Sequence, residues 1–170
     1  GYTLFLRGEH DPGSFPLTGY PSMGKDEWLR IFMNGKEYGL NHWRFHSWCP
    51  PEAAFAAADE VGIYLQPELP LFSQNWENTL VGQDVARDEF LFSELQRLLD
   101  TYGNHPSFMF MCMGNELKGD TTVLKNWVAY GKEYDDRHLY ASNANLEAMG
   151  LFLPLEGDEF QVAHAAKVDG

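Results

Sequence analysis

The stretch GNE at residues 114–116 carries the most suggestive chemistry of the sequence, because Asn115 and Glu116 directly follow the apolar run SFMFMCM, residues 107–113. A run with no polar side predicts a buried strand, so one amide and one carboxylate emerge together at its end. A carboxylic acid that donates a proton at neutral pH needs a raised pKa, which a partly desolvated, apolar setting supplies. Glu116 is therefore a candidate general acid, with Asn115 as a candidate ligand for a sugar hydroxyl. The alternative is a Glu116 that caps a helix or forms an ion pair.

Strand-like and helix-like segments alternate along the chain. Helices are predicted over 25–39, 52–62, 84–102 and about 121–135, and strands over 3–8, 40–47, 63–69, 107–113, 138–145 and 159–165. Strands that are apolar on both faces are typical of a parallel sheet covered by helices. An open doubly wound sheet and a (β/α)₈ barrel both fit this order. No glycine-rich phosphate-binding motif follows the first strand, so we favour the barrel.

Polar and aromatic residues gather at the ends of the predicted strands. In a barrel, the carboxyl ends of all strands meet at one rim, where barrel active sites lie. The rim candidates are Glu9, His10, Asp11, His46, Trp48, Glu68, Asn115, Glu116, Asn143, Asn145 and His164. His105 and Pro106 lie at the opposite end of their strand, where barrels place residues that serve stability, so we expect a structural role for both.

The number of strands predicts an incomplete barrel. A full barrel has eight strands and typically about 250 residues, whereas about six strands are found in 170 residues. The expected fold is α/β: a partial TIM barrel with about six parallel strands and helices outside, forming a single truncated domain over residues 1–170. Two open sheet edges would favour self-association.

The charge balance excludes several classes of partner. The chain has 12 Lys and Arg against 25 Asp and Glu, a net charge of −13, whereas nucleic acid and anionic membranes require a basic face. No apolar run approaches the roughly 18 residues of a membrane helix. Cys49 and Cys112 adjoin apolar strands and are expected to be buried thiols, neither a disulfide nor part of a metal site. A small neutral or cationic ligand fits this balance, and we predict neither a metal nor a cofactor.

Three segments together resemble the catalytic barrel of glycoside hydrolase family 2, the β-galactosidase, β-glucuronidase and β-mannosidase group. GNE at a strand end, preceded by YGNHPS, is similar to the acid/base segment of that family. GLNHWRFHSWCPP is similar to its second strand and the proline-led helix that follows. FAAADEVGIYLQPELP is similar to the helix that leads into its third strand, and TLFLRGEHD fits the first strand more loosely.

The resemblance implies a role for each matching residue. Glu116 would be the general acid and then the general base of a retaining double displacement. Asn115 would bind the hydroxyl next to the reacting carbon. Arg44 would pair with the nucleophilic carboxylate and keep it ionised, or alternatively would be a structural ion-pair partner inside the barrel.

Three further residues are predicted to contact substrate, each with an alternative. His46 would line the same subsite, or be a hydrogen-bonded core histidine. Trp48 would stack on a sugar face, or fill the core beneath the proline turn. Glu68 occupies the position of a family carboxylate after the third strand, or holds a loop through backbone amides.

The second carboxylate of the mechanism has no match. A retaining glycosidase needs two carboxylates about 5–5.5 Å apart, and the family takes its nucleophile from the seventh strand. Glu156, Asp158 and Glu159 precede the sixth predicted strand and do not match that position. The resemblance thus implies a β-galactosidase-like O-glycosyl hydrolase of the periplasm or cell exterior, acting on oligo- or polysaccharide. The isolated chain would carry the acid/base without the nucleophile and be inactive.

Two other classes of function remain open. The first is a metal-dependent barrel hydrolase, although His42 and His46 of HWRFH would lie about 13 Å apart in a strand, too far to share a zinc with bonds of about 2 Å. The second is a non-catalytic carbohydrate-binding module that uses the rim aromatics Trp48, Phe72 and Trp76.

Overall fold

The computed structural model describes residues 3–72, 79–144 and 154–162. In these ranges strands and helices alternate, as the sequence predicts. The strands are β1 (Gly8–Asp11), β2 (His42–Phe45), β3 (Tyr64–Gln66), β4 (Phe110–Cys112) and β5 (Leu139–Ala141), and the helices are α1 (Lys25–Glu37), α2 (Glu52–Val61), α3 (Val85–Tyr102) and α4 (Thr121–Tyr134).

All described strand pairs are parallel. Strands β1, β2 and β3 form one sheet, in which His10 pairs with Arg44 and Arg44 with Gln66. Strands β4 and β5 form a second sheet, and parallel bridges from Leu65 to Phe108 and from Glu68 to Cys112 connect it to β3. The described strands therefore follow one another in chain order as an open parallel array. Within these residues the barrel is not closed.

Strand β2 shows how the sequence separates the two faces of this array. Its side chains alternate between buried and half-buried, because successive residues of a strand point to opposite faces. Trp43 and Phe45 pack against α1, with ring centroids 5.3 Å from Phe32 and 6.1 Å from Trp28, respectively. Arg44 lies on the other face, so the inner surface receives the polar residues of β2.

The first strand is later than predicted. It begins at Gly8 instead of residue 3, and Leu4, Phe5 and Leu6 are exposed. The reason is the Asn41 side chain, which accepts a hydrogen bond from the Arg7 backbone N–H at 2.7 Å and donates one to the Phe5 carbonyl at 2.9 Å. An amide side chain thus occupies the place where a β ladder would have continued.

The sixth predicted strand is reduced to one parallel bridge between Ala144 and Val162. The described residues thus contain five strands and this bridge, which falls within the sixth predicted strand. The rest of the predicted strand, 163–165, lies outside the described residues. None of the described helices is long and apolar enough to cross a membrane.

The segment before β4 joins two elements at the end of the array opposite to the rim. The His105 Nδ1 atom is 2.6 Å from Asp59 Oδ2, and the Ser107 backbone N–H donates to Asp59 Oδ1 at 2.9 Å. Asp59 belongs to α2, so these bonds hold that helix to the start of β4. This position is the one expected for a structural histidine.

Candidate active site

Arg44 connects the ends of β2, the β3 loop and the β4 loop. Its Nε atom donates to Glu68 Oε1 at 2.6 Å, and its Nη2 atom donates to Glu68 Oε2 at 3.3 Å and to Asn115 Oδ1 at 2.6 Å. Arg44 and Asn115 are 71 residues apart in sequence. The parallel array brings them together because the carboxyl ends of its strands lie on one side.

Glu68 lies behind Arg44, away from the open face of the site. Its side chain is 0% exposed, and it also accepts hydrogen bonds from the Ser47 backbone N–H at 2.8 Å and from Gln66 Nε2 at 3.3 Å. Burial raises the pKa of Glu68, while Arg44, Ser47 and Gln66 act in the opposite direction. A carboxylate without exposed surface cannot contact a sugar in this arrangement. Its bond to the Ser47 N–H is the one expected for the alternative role, a carboxylate that holds a loop through backbone amides.

The Gly114-Asn115-Glu116 segment is fixed by its backbone. Gly114 has φ +142° and Glu116 has φ +51°. The Asn115 N–H donates to the Leu71 carbonyl at 3.0 Å, and the Glu116 N–H donates to the Ala144 carbonyl at 2.8 Å. The segment is therefore held between the loops that follow β3 and β5. Asn115 is buried beside Arg44, whereas the Glu116 side chain is half-buried.

His46 lies near Glu116 at the rim. Its ring makes edge contacts with His10 at a centroid distance of 4.9 Å and with Phe72 at 5.4 Å. Burial, and next the Arg44 guanidinium, lower the pKa of His46, whereas its own backbone and the Glu116 carboxylate raise it. The lowered pKa favours a neutral imidazole at pH 7, which can donate or accept a hydrogen bond at the rim.

Trp48 makes protein contacts on several sides. Its ring centroid lies 5.0 Å from that of Phe45 and 5.6 Å from that of Phe15, both in edge-to-face geometry, and its Nε1 donates to the Asp11 carbonyl at 3.0 Å. It packs against the hydrophobic core as a partly buried residue. These contacts are those of the alternative role, a core residue beneath the turn.

Other rim candidates serve the loops. Asn143 accepts a hydrogen bond from the Leu117 N–H at 2.8 Å and donates to the Leu117 carbonyl at 3.1 Å, so it fixes the backbone just after Glu116. Asp11 accepts from the Gly13 N–H at 2.8 Å. Trp76, Asn145 and His164 lie outside the described residues.

Two members of the site were not found by sequence reasoning, Ser47 and Gln66. Gln66 is a single polar residue inside an apolar strand, and that signal could have identified it. Ser47 contributes its backbone N–H from a left-handed conformation, φ +58°. No residue type or spacing indicates that conformation, because serine rarely adopts it.

The carboxylates after β5 are engaged by neighbouring groups. Asp158 accepts hydrogen bonds from the Ser142 N–H at 2.7 Å, from the Ser142 hydroxyl at 2.8 Å and from the Leu155 N–H at 3.0 Å. Glu159 accepts from the Tyr140 N–H at 3.1 Å. Both fix the segment beside β5. Among the described residues, no group of three or more His, Cys, Asp or Glu could hold a metal ion.

His42, on the inner face of β2, makes stability depend on pH. Burial lowers the pKa of His42 to about 4, against a hydrogen bond with Gln66 that raises it. The pKa of His42 in the unfolded chain is about 6.5. Below that pH the unfolded chain binds a proton at His42 and the folded chain does not, so stability is lost as the pH falls from 6.5 towards 4. We expect His42→Phe to remove a loss on the order of 3 kcal/mol by pH 4, measured by urea unfolding between pH 7 and pH 4. Equal pH slopes for the two proteins would contradict this expectation.

The fold of the described residues is similar to that of several solved structures. No protein-family model and no curated protein sequence matches the chain. Among solved structures, it is similar to the β-glucuronidase of Parabacteroides merdae, with a TM-score of 0.70 and 21% identity over 85% of this chain and 19% of that one. The β-glucuronidase of Bacteroides uniformis gives a TM-score of 0.66 and 18% identity, covering 82% of this chain and 18% of that one.

A glycosyl hydrolase family 2 member from Bacteroides cellulosilyticus gives a TM-score of 0.62 and 22% identity, covering 79% of this chain and 18% of that one. The chain thus spans about a fifth of the length of these proteins. At these identities the similarity concerns the fold. The chain has the fold of one segment of these glycoside hydrolases.

Proposed function

We propose that the chain is part of the catalytic domain of a retaining glycoside hydrolase, and that Glu116 is its general acid and base. The observation that carries this proposal is the hydrogen bond between Arg44 and Asn115, which joins the ends of β2 and β4 directly beside Glu116. A fixed amide, a guanidinium and a half-buried carboxylate on one rim form an arrangement that can bind a sugar hydroxyl and exchange a proton with a glycosidic oxygen.

The nucleophile of the proposed reaction comes from outside this chain. Asp158 and Glu159, the described carboxylates nearest to the end of the chain, are occupied by backbone and hydroxyl donors beside β5. A second carboxylate about 5–5.5 Å from Glu116 would then belong to a later strand of a longer protein. The isolated chain is accordingly expected to have no useful hydrolytic rate.

The sugar is either a neutral glycoside such as a β-galactoside or a β-glucuronide. The net charge of −13 favours the first, because a uronate needs a cationic pocket. Two of the three solved structures described above are β-glucuronidases, which favours the second. A panel containing both sugars decides between them.

The proposal is tested by Glu116→Gln in the longer protein that contains this chain. General acid–base catalysis contributes about 10²–10⁴-fold to a rate, so kcat/KM for an alkyl β-glycoside should fall by that factor. An activated aryl glycoside, whose leaving group needs no proton, should lose much less in kcat/KM. Glu89→Gln, on the exposed side of α3, is the matched control and should change neither rate.

Three outcomes would overturn parts of this proposal. Equal losses for alkyl and aryl glycosides would remove Glu116 from the acid role. Glycan binding by the longer protein without any turnover would favour a non-catalytic carbohydrate-binding module. Turnover by the isolated chain that Glu116→Gln abolishes would place the nucleophile within these 170 residues.

A further inference from the structure

The turn after β2 is held in an unusual backbone conformation at Ser47. Its φ of +58° lies in the left-handed region, which non-glycine residues seldom occupy unless the surrounding structure fixes them there. Two hydrogen bonds join this turn to Glu68: the Ser47 N–H donates to Glu68 Oε2 at 2.8 Å, and the Glu68 N–H donates to the Trp48 carbonyl at 3.2 Å. The two bonds therefore fix the backbone of the turn at Ser47 and the position of the buried Glu68 carboxylate relative to each other.

The Ser47 side chain does not explain this arrangement. Its hydroxyl is buried without a hydrogen-bond partner. A glycine would adopt the same backbone at no steric cost. The contribution of Ser47 is therefore its main-chain N–H and the direction in which the left-handed turn points it.

Glu68 connects the Ser47 N–H to the Arg44 guanidinium. Each Glu68 oxygen accepts two hydrogen bonds: Oε1 from Arg44 Nε and Gln66 Nε2, and Oε2 from Arg44 Nη2 and the Ser47 N–H. These four bonds fix the plane of the Glu68 carboxylate. The carboxylate in turn orients the planar Arg44 guanidinium, because the two groups are joined by two parallel N–H···O bonds. Moving the Ser47 N–H would release one oxygen and allow the pair to rotate.

The last link is the orientation of Asn115. Arg44 Nη2 donates to Asn115 Oδ1 at 2.6 Å, so the carbonyl of that amide faces Arg44 and its NH₂ group points the other way. An amide free to flip would present either a donor or an acceptor to a substrate. Held by Arg44, it presents one pattern of hydrogen bonds.

We propose that the left-handed turn at Ser47 is a positioning element. Its main-chain N–H orients Glu68, Glu68 orients Arg44, and Arg44 sets the amide of Asn115 for a sugar hydroxyl. Only the last step, the sugar, rests on the proposed function. The positioning itself can be measured in the chain without any turnover.

The test compares three variants at one position by NMR. Ser47→Val disfavours a positive φ because valine is β-branched, whereas Ser47→Gly removes the conformational cost of that φ. Ser47→Ala removes only the unpaired hydroxyl. We expect Ser47→Val to speed hydrogen exchange of the Arg44 Nε–H by about tenfold or more, the order expected from weakening a charged hydrogen bond, and to shift the Asn115 NH₂ resonances. Ser47→Gly and Ser47→Ala should keep the Arg44 Nε–H exchange rate within about twofold, because they keep the main-chain hydrogen bond. They should also leave the Asn115 NH₂ resonances in place.

A separate position controls for the cost of a β-branched residue at positive φ. Gly19 has φ +75° with no atom within 4 Å of an added Cβ, so Gly19→Val creates the same conformational conflict away from the site. It should lower stability without changing the Arg44 or Asn115 signals. A Ser47→Val protein with unchanged Arg44 Nε–H exchange, or a Ser47→Ala protein that behaves like Ser47→Val, would overturn the proposal.

The unsubstituted chain provides a measurement that does not depend on a variant folding. The Ser47 amide hydrogen should exchange slowly although the residue is half-buried, since its N–H is held by Glu68. Fast exchange at this amide would refute the positioning role. Titration of the longer protein with methyl β-D-galactopyranoside and methyl β-D-glucopyranosiduronate then tests the sugar separately. Intact positioning without sugar binding would count against the proposed function alone.

Discussion

Arg44→Met is expected to lower the free energy of unfolding by about 3–5 kcal/mol, because it leaves the Glu68 carboxylate buried without a charge partner. Glu68 is 0% exposed and Arg44 only 14%, and the closest of their contacts is 2.6 Å. Breaking a buried pair from one side costs far more than the pair itself contributes, since the remaining charge has lost both water and partner. Urea unfolding at pH 7 measures the loss.

A second variant separates this cause from lost packing. Arg44→Met combined with Glu68→Gln removes the unpaired charge but keeps an acceptor for the Ser47 N–H, and we expect it to recover most of the loss. The Arg44→Met deficit should also be smaller at pH 5 than at pH 8, because a protonated Glu68 needs no counterion. Lys25→Met, which removes the exposed ion pair with Glu60, should cost less than about 1 kcal/mol. A deficit for Arg44→Met no greater than that of Lys25→Met would contradict the prediction.

Gly114→Ala is expected to destabilise the protein strongly although it adds only one methyl group. Gly114 has φ +142°, and a Cβ there would lie 2.6 Å from the Leu71 carbonyl oxygen, a backbone atom that cannot rotate away. Backbone strain of about 1–3 kcal/mol adds to overpacking of similar size, so we expect a loss of about 3 kcal/mol or more. The displaced backbone carries Asn115 and Glu116, so under the proposed function kcat/KM of the longer protein should fall as well.

Gly19→Ala is the matched control for this prediction. Gly19 also has a positive φ, +75°, but an added Cβ would meet nothing within 4 Å. The substitution should therefore cost only the conformational part, about 1–2 kcal/mol. If both variants lost the same stability, the close approach of Leu71 to Gly114 would have no energetic importance.

The site depends on buried polar contacts between loops more than on the strands themselves. The described strands are only three or four residues long. Beyond their ends, backbone hydrogen bonds from Asn115 to Leu71 and from Glu116 to Ala144 continue the alignment. The Arg44–Glu68–Asn115 contacts then join the end of β2 to the loops after β3 and β4 by charge-assisted hydrogen bonds, which are roughly twice as strong as neutral ones. A rim built in this way can keep its geometry although the array is open.

The sequence by itself determined the order and type of the elements. Apolar periodicity located the four helices, for example α3, predicted over 84–102 and observed at Val85–Tyr102. Local signals fixed their ends too, since α2 stops at Gly62 with φ +76°. The same reasoning placed Glu68 and Asn115 at strand ends, because the carboxyl end of a strand is indicated by the point where its apolar run stops. Arg44 was singled out by the family resemblance alone.

Only the tertiary structure decided which of these residues touch and which are reachable. Arg44 meets Asn115 across 71 residues through strand order and register, which no local pattern encodes. Glu68 is covered although it is charged, Trp48 turns into an aromatic cluster, and Ser47 adopts a left-handed turn. These outcomes depend on how loops from separate strands pack together. Residue types and their spacing determine local preferences for helix, strand and turn, whereas contacts between distant loops form only once the whole sheet is assembled.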